Sequence, residues 1–210
     1  MRGRGRVARR LSALGAALVV LSVTPAPAGA TGPVVVDAHD GFSFALPAGW
    51  QQLSADPART KAIMKKASSV SPQVATAVRQ AIHSIGVSSL RIYAIGPLAT
   101  GSTFAPNLNV IVESGRGVPT GAAFVQGAVP AAKQGLASIG AKNLGTSSVA
   151  LAGAPALKVT YAIGANGRRG EGTQYYAAHG GRIDIITVTT ASAATTTSAA
   201  ATLQRTWRWR

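Results

Sequence analysis

The chain has 210 residues, with 21 lysines and arginines against 6 acids and a formal charge of +15. It contains no cysteine, which excludes disulfides, thiol nucleophiles and cysteine-ligated metals. So few acids also leave little material for a paired-carboxylate mechanism.

The first 30 residues follow a three-part plan. Five arginines in residues 1–10 precede a 13-residue apolar stretch at 11–23, and Ala28-Gly29-Ala30 then supplies small side chains. This is the layout of a secretory signal, with cleavage expected between Ala30 and Thr31. A membrane-spanning helix needs about 20 apolar residues, so no anchor is expected to remain after cleavage. No cysteine stands near the cleavage point to carry a lipid. Arg9-Arg10 raises twin-arginine export, but Ser12 falls where that signal takes a large apolar residue. The general secretory route is therefore preferred. Residues 31–210 are one domain's worth of secreted protein. They hold 16 basic and 6 acidic residues, a net charge of +10. A solvated surface is the simpler account of that charge. It also favours an anionic envelope component or an envelope protein as partner, by long-range attraction. Export makes nucleic acid an unexpected partner.

Along the exported part, 33–37 and 42–46 read as strands across an Asp40-Gly41 turn, with Phe42, Phe44 and Leu46 on one face. Asp56-Pro57 opens a helix to about Ala67, an N-cap followed by proline at the first helical position. Ser71-Pro72 repeats the device, and Val74, Val78, Ile82 and Ile85 then recur at helical spacing up to Gly86. Strands follow at 90–95 and 107–112. Thr120 opens a helix to about Ile139 with Val125, Val129, Ala132, Leu136 and Ile139 as its apolar face. Pro130 is expected to kink it, because proline has no N–H for the Gln126 carbonyl.

The last third reads as a meander of strands at 146–151, 157–163, 173–178 and 182–190. Ala152-Gly153-Ala154, Asn166-Gly167 and Gly180-Gly181 mark its turns. Ser192 caps a final helix to about Arg205, and the chain ends Trp207-Arg208-Trp209-Arg210. Strand 182–190 carries Ile183 and Ile185 on one side, Ile186 and Val188 on the other. A sheet wet on one side would alternate more cleanly. The pattern predicts an α+β domain, a largely antiparallel sheet with helices on both faces.

Several of these segments together resemble the PsbP-like family, in its LpqN-type actinobacterial branch. They are Gly41-Phe-Ser-Phe-Ala-Leu-Pro-Ala-Gly-Trp50, Asn107-Leu-Asn-Val-Ile-Val-Glu113, Gly153-Ala-Pro-Ala-Leu-Lys-Val-Thr-Tyr161, Gln174-Tyr-Tyr176 and Ile186-Thr-Val-Thr189. The resemblance runs over most of 37–210, with the helices of 57–85 as an insertion. It implies an α/β/α sandwich around an antiparallel sheet, and a binding or assembly module rather than an enzyme. It assigns no functional residue, because the matching segments are turn glycines, a strand-ending proline and core aromatics. The chain departs from the lipoprotein members in lacking the lipid-carrying cysteine.

Catalytic candidates are few. Asp37, His39 and Asp40 could ligate a metal, but a strand running into a turn does not make side chains converge. A hydrated turn in which Asp40 bonds its own backbone is the simpler reading. His83 reads as a solvated helix residue. His179 and Asp184 could meet across the Gly180-Gly181 hairpin as the core of a hydrolase, although no Gly-x-Ser-x-Gly elbow occurs.

The basic candidates are more numerous. Arg59, Lys61, Lys65 and Lys66 place four cations on one short helix. Arg168 and Arg169 sit at a hairpin that could cradle an anion, although a flexible hairpin is simpler. Trp207, Arg208, Trp209 and Arg210 interleave indoles with cations, which suits a lipid interface or packing back onto the core. The expectation is a secreted, non-catalytic envelope module. It would be a monomer with no cofactor, no metal and no catalytic residue. A hydrolase or a small-ligand carrier is the alternative.

Overall fold

The computed structural model describes residues 31–53, 57–84, 89–98, 104–165 and 168–210. The signal segment with Ala30, and the expected cap Asp56, Ile85, Gly86 and the Asn166-Gly167 turn, lie outside them.

Two antiparallel sheets organise the described residues. A seven-stranded sheet holds β3 (Gln51–Gln52), β4 (Leu90–Ile95), β5 (Asn107–Ser114), β9 (Arg182–Thr190), β8 (Arg168–His179), β7 (Ala154–Ala165) and β6 (Ala141–Leu151), in that spatial order. A smaller sheet holds β1 (Thr31–Asp37), β2 (Phe42–Pro47) and β10 (Arg208–Trp209), with β2 in the middle. The described residues also form four helices: α1 (Pro57–Val70), α2 (Pro72–Ser84), α3 (Gly121–Ser138) and α4 (Ala193–Thr206). The expected α+β class and antiparallel sheet are present, with helices on both faces. Beyond that expectation, one face is shared between a helix and the small second sheet.

The registers explain why. Side chains alternate across a strand, so Leu108, Val110, Ala156, Tyr175, Ala177, Ile186 and Val188 share one face. They form one buried cluster with Phe42, Phe44 and Leu46 of β2 and with Ala199, Ala200, Leu203 and Trp207. On the opposite face Leu157, Val159, Tyr161 and Ala178 pack against Phe124, Val125, Ala132 and Leu136 of α3. Farther along, α1 and α2 bury Ile63, Ala67, Val74 and Val78 against Leu53 and Ile95.

Local signals set most boundaries. Ser71 Oγ accepts from the Val74 N–H at 3.1 Å, as its place before Pro72 predicts. Ser192 Oγ likewise accepts from the Thr195 N–H at 3.3 Å. Thr120 stands at the N-cap of α3 but makes no side-chain cap bond. Pro130 sits exposed within α3, and the helix continues through it to Ser138.

Ile139 corrects the expected apolar face: it lies past the helix end and is 57% exposed. Phe124 takes the buried place instead. Strands β6 and β8 are longer than their apolar runs suggest, because small polar residues are carried into the ladder by their partners. Gly172 is needed on β8 because the Tyr161 ring lies across it: a Cβ there would stand 2.1 Å from Tyr161 Cζ. The ring passes over to β9, where its hydroxyl meets Thr189 Oγ1 at 3.3 Å.

Candidate functional site

The C-terminal tail builds the most elaborate side-chain cluster. After α4 the chain turns back and β10 pairs with β2, Arg208 opposite Ser43 and Trp209 opposite Phe42. Thr206 helps to fix the turn. Its Oγ1 accepts from the Ala45 N–H at 3.1 Å and donates to the Thr202 carbonyl at 2.7 Å. The Arg210 N–H then donates to the Gly41 carbonyl at 2.8 Å.

This pairing drives Trp207 inward, where it is 0% exposed. Its ring stacks on Phe42 at 4.8 Å and on Phe44 at 5.2 Å. Trp209 stacks on His179 at 4.5 Å, and the Arg182 guanidinium stands 5.9 Å from its ring centre. Both indole Nε1 atoms are buried without a hydrogen-bond partner.

Trp207 therefore cannot serve as the expected envelope contact: its apolar ring gains more by filling the core than by facing a surface. Trp209 is half-buried under the same constraint, while Arg208 and Arg210 remain exposed. Arg210 Nε still reaches Ser43 Oγ at 3.1 Å, and an Arg208 guanidinium nitrogen bonds the Arg205 carbonyl at 2.9 Å.

His179 and Asp184 lie on the same face, since His179 pairs with Arg182 and Ala177 with Asp184. They are not joined as a catalytic pair. Asp184 is fully buried, and Arg182 Nε lies 3.3 Å from its Oδ1. Burial pushes the Asp184 pKa from 3.8 up to about 6. Arg182 pulls it down, and the nearby Asp40 and Asp37 charges push it further up. Burial, with help from Arg182, holds His179 below the ordinary histidine value. One face of the His179 ring is covered by the Trp209 indole.

The Asp37–His39–Asp40 group is likewise committed. Asp37 Oδ1 accepts from the N–H groups of His39 and Asp40, both at 3.0 Å. Asp40 forms an ion pair with Arg91. The expected turn is there, but it is Asp37, not Asp40, that closes it. Among the described residues no group of three histidines and acids converges as a metal site.

The basic helix differs. Lys61, Lys65 and Lys66 are exposed on α1, while Ile63 and Ala67 between them are buried. Neither α1 nor α2 contains an acid. Arg59 lies on α1 and Arg168 on β8, and their side chains, like that of His83, lie outside the described ones. Arg169 is exposed, with Glu171 at 3.4 Å.

One cleft was missed by sequence reasoning. It holds about 220 Å³ and is lined by Asn143, Thr160, Glu171, Thr173, Thr196 and Thr197, among others. Asn143 takes a left-handed φ of 56° at a bulge of β6. Scattered threonines leave no spacing signal, so only the packing of α4 against β8 and β6, with β7 between those strands, brings them together.

No protein-family model and no curated protein matches the chain. Among solved structures it is similar to cyanobacterial PsbP (CyanoP) from Synechocystis sp. PCC 6803, at 14% identity and a TM-score of 0.50. That match covers 89% of this chain and 98% of the other. The fold is PsbP-like. A second similar structure is LpqN, described as involved in cell envelope biogenesis of Mycobacterium tuberculosis. It shares 12% identity at a TM-score of 0.49 over 83% of this chain and 88% of that one. In the PsbP-like fold of this chain, no described helix is long and apolar enough to cross a membrane.

Proposed function

We propose that residues 31–210 form a secreted, non-catalytic binding or assembly module of the cell envelope. Its partner is an anionic envelope component or an acidic envelope protein. The observation that carries this reading is α1, which presents Lys61, Lys65 and Lys66 to solvent with no acid on α1 or on its partner α2. A run of exposed cations attracts an anionic surface and loses that attraction as salt rises. The PsbP-like fold and the export plan of the first 30 residues support the same reading. The hydrolase alternative draws no support from the His179–Asp184 geometry, because Asp184 is buried and pairs with Arg182.

Envelope fractionation at low and high salt tests the proposal. The protein should sediment with the envelope at low salt and be released at high salt. A protein that is fully free at low salt overturns it.

A further inference from the structure

The two ends of the large sheet are finished differently. At one end β3 has two residues, which leaves almost no edge to pair with. At the other end β6 has eleven residues and, among the described residues, no strand beyond it. Lys142, Asn143, Gly145, Thr146, Ser147, Ser148 and Ala150 are exposed there. From Gly145 to Leu151 the strand contains neither a charge nor a proline, the usual guards of a free edge.

The register shows which backbone groups point outward. Leu151 pairs with Ala154 across a two-residue turn, Ala152 and Gly153, both at positive φ. Such a turn closes on a hydrogen-bonded pair, and these alternate with non-bonded pairs along the ladder. Val149 and Ser147 therefore bond inward to β7. Thr146, Ser148 and Ala150 aim their N–H and C=O groups away from the sheet. The Ala150 carbonyl confirms this sense, since it accepts from Gln204 Nε2 at 3.1 Å from outside the β6–β7 ladder.

Charge selects among possible occupants. The elements packed against β6 are β7, α3 and α4. None of them contains an acid, and neither does β6. Together they carry Lys142, Lys133, Lys158 and Arg205, of which Lys158 is half-buried and the others exposed. A second copy added edge to edge would bring four cations against four cations with nothing between. An acidic strand would meet those cations instead, and Glu171, which faces Asn143 across the cleft, is paired with Arg169.

We infer that β6 is a docking edge for an extended acidic segment of a partner polypeptide, which adds to the sheet as a further strand. Backbone hydrogen bonds at Thr146 and Ser148 supply the pairing, and the surrounding lysines and arginine select the sequence. This deepens the proposed binding role by naming a surface and a partner chemistry, and in that sense it rests on that role.

The test uses the 31–210 protein and three synthetic probes. They are a 12-residue peptide alternating glutamate and valine, its lysine–valine counterpart, and the acidic peptide N-methylated on alternate amides. Binding is followed by fluorescence polarisation and by backbone amide shifts. The acidic peptide should bind and shift the amides of Thr146, Ser148 and Ala150. The other two probes should bind at least tenfold more weakly.

Ser148→Pro removes an outward N–H that the fold does not use, a position where an edge strand tolerates proline. This variant should unfold at the same temperature as the parent yet lose peptide binding. Three results overturn the inference: equal binding of acidic and basic peptides, binding with no shift at the three amides, or a dimer in ultracentrifugation that Ser148→Pro dissolves. Salt fractionation of the parent protein, set beside its peptide binding, separates the two claims. Salt-released envelope association without peptide binding sinks the docking edge alone. Peptide binding without envelope association sinks the envelope role alone.

Discussion

In the tail, Trp207 and Trp209 are held by ring stacking and by a strand pairing with β2. In α1, Lys61, Lys65 and Lys66 extend into water around a buried stripe of Ile63 and Ala67. Both segments are short, basic and free of acid. They differ in what lies between the cations. Tail indoles have large apolar faces that the core can absorb, so backbone and cations are drawn along with them. Lysines have only their stems to bury. The tail is therefore a structural clasp with cations at its rim, while α1 is a surface whose cations are available.

The largest test of that contrast is Trp207→Ala. It removes a fully buried indole from between Phe42 and Phe44 and should cost about 3–5 kcal/mol in urea unfolding. A loss under about 1 kcal/mol would mean the tail is not a clasp.

Next comes the buried carboxylate beneath the clasp. Its pKa is raised on folding from 3.8 to about 6, so between those values the folded protein keeps a proton that the unfolded chain has released. This contribution to stability is therefore largest at low pH and is lost as pH rises through that window. The loss should be on the order of 1–3 kcal/mol. Asp184→Asn should flatten this slope in unfolding curves taken across the window. An unchanged slope would assign the titration to another group.

Trp209→Ala should raise the His179 pKa toward the ordinary histidine value, because water regains the ring face that the indole covers. An NMR titration of the imidazole reads this directly, and a pKa that stays put would show that Trp209 does not shield it.

The smallest effect on stability belongs to α1. Replacing Lys61, Lys65 and Lys66 together by glutamine should change unfolding by less than about 0.5 kcal/mol. The same change should cut envelope retention at low salt. Retention equal to the parent would move the contact away from α1.

Much of the fold is legible locally. The apolar alternation of Phe42, Phe44 and Leu46, the Ser71-Pro72 and Ser192 caps and the Gly180-Gly181 hairpin each encode their own geometry within a few residues. The β10 strand is not legible, because two residues carry no periodicity and their partner lies far back along the chain. The cleft around Glu171 and Thr196 is illegible for the same reason. Its residues come from β6, β7, β8 and α4, and nothing in their spacing marks them.

The sequence by itself determined the excess of positive charge, the class of fold and the order of nearly every element. These depend on composition and on periods of two and 3.6 residues, which a single segment contains. Only the tertiary structure decided which basic groups face solvent and which are bound, that Asp184 answers to Arg182 rather than to His179, and that, among the described residues, β6 is the end strand of the large sheet. Those outcomes depend on contacts between distant segments. Burial there is settled by which surfaces fit together, not by the residues of either segment alone.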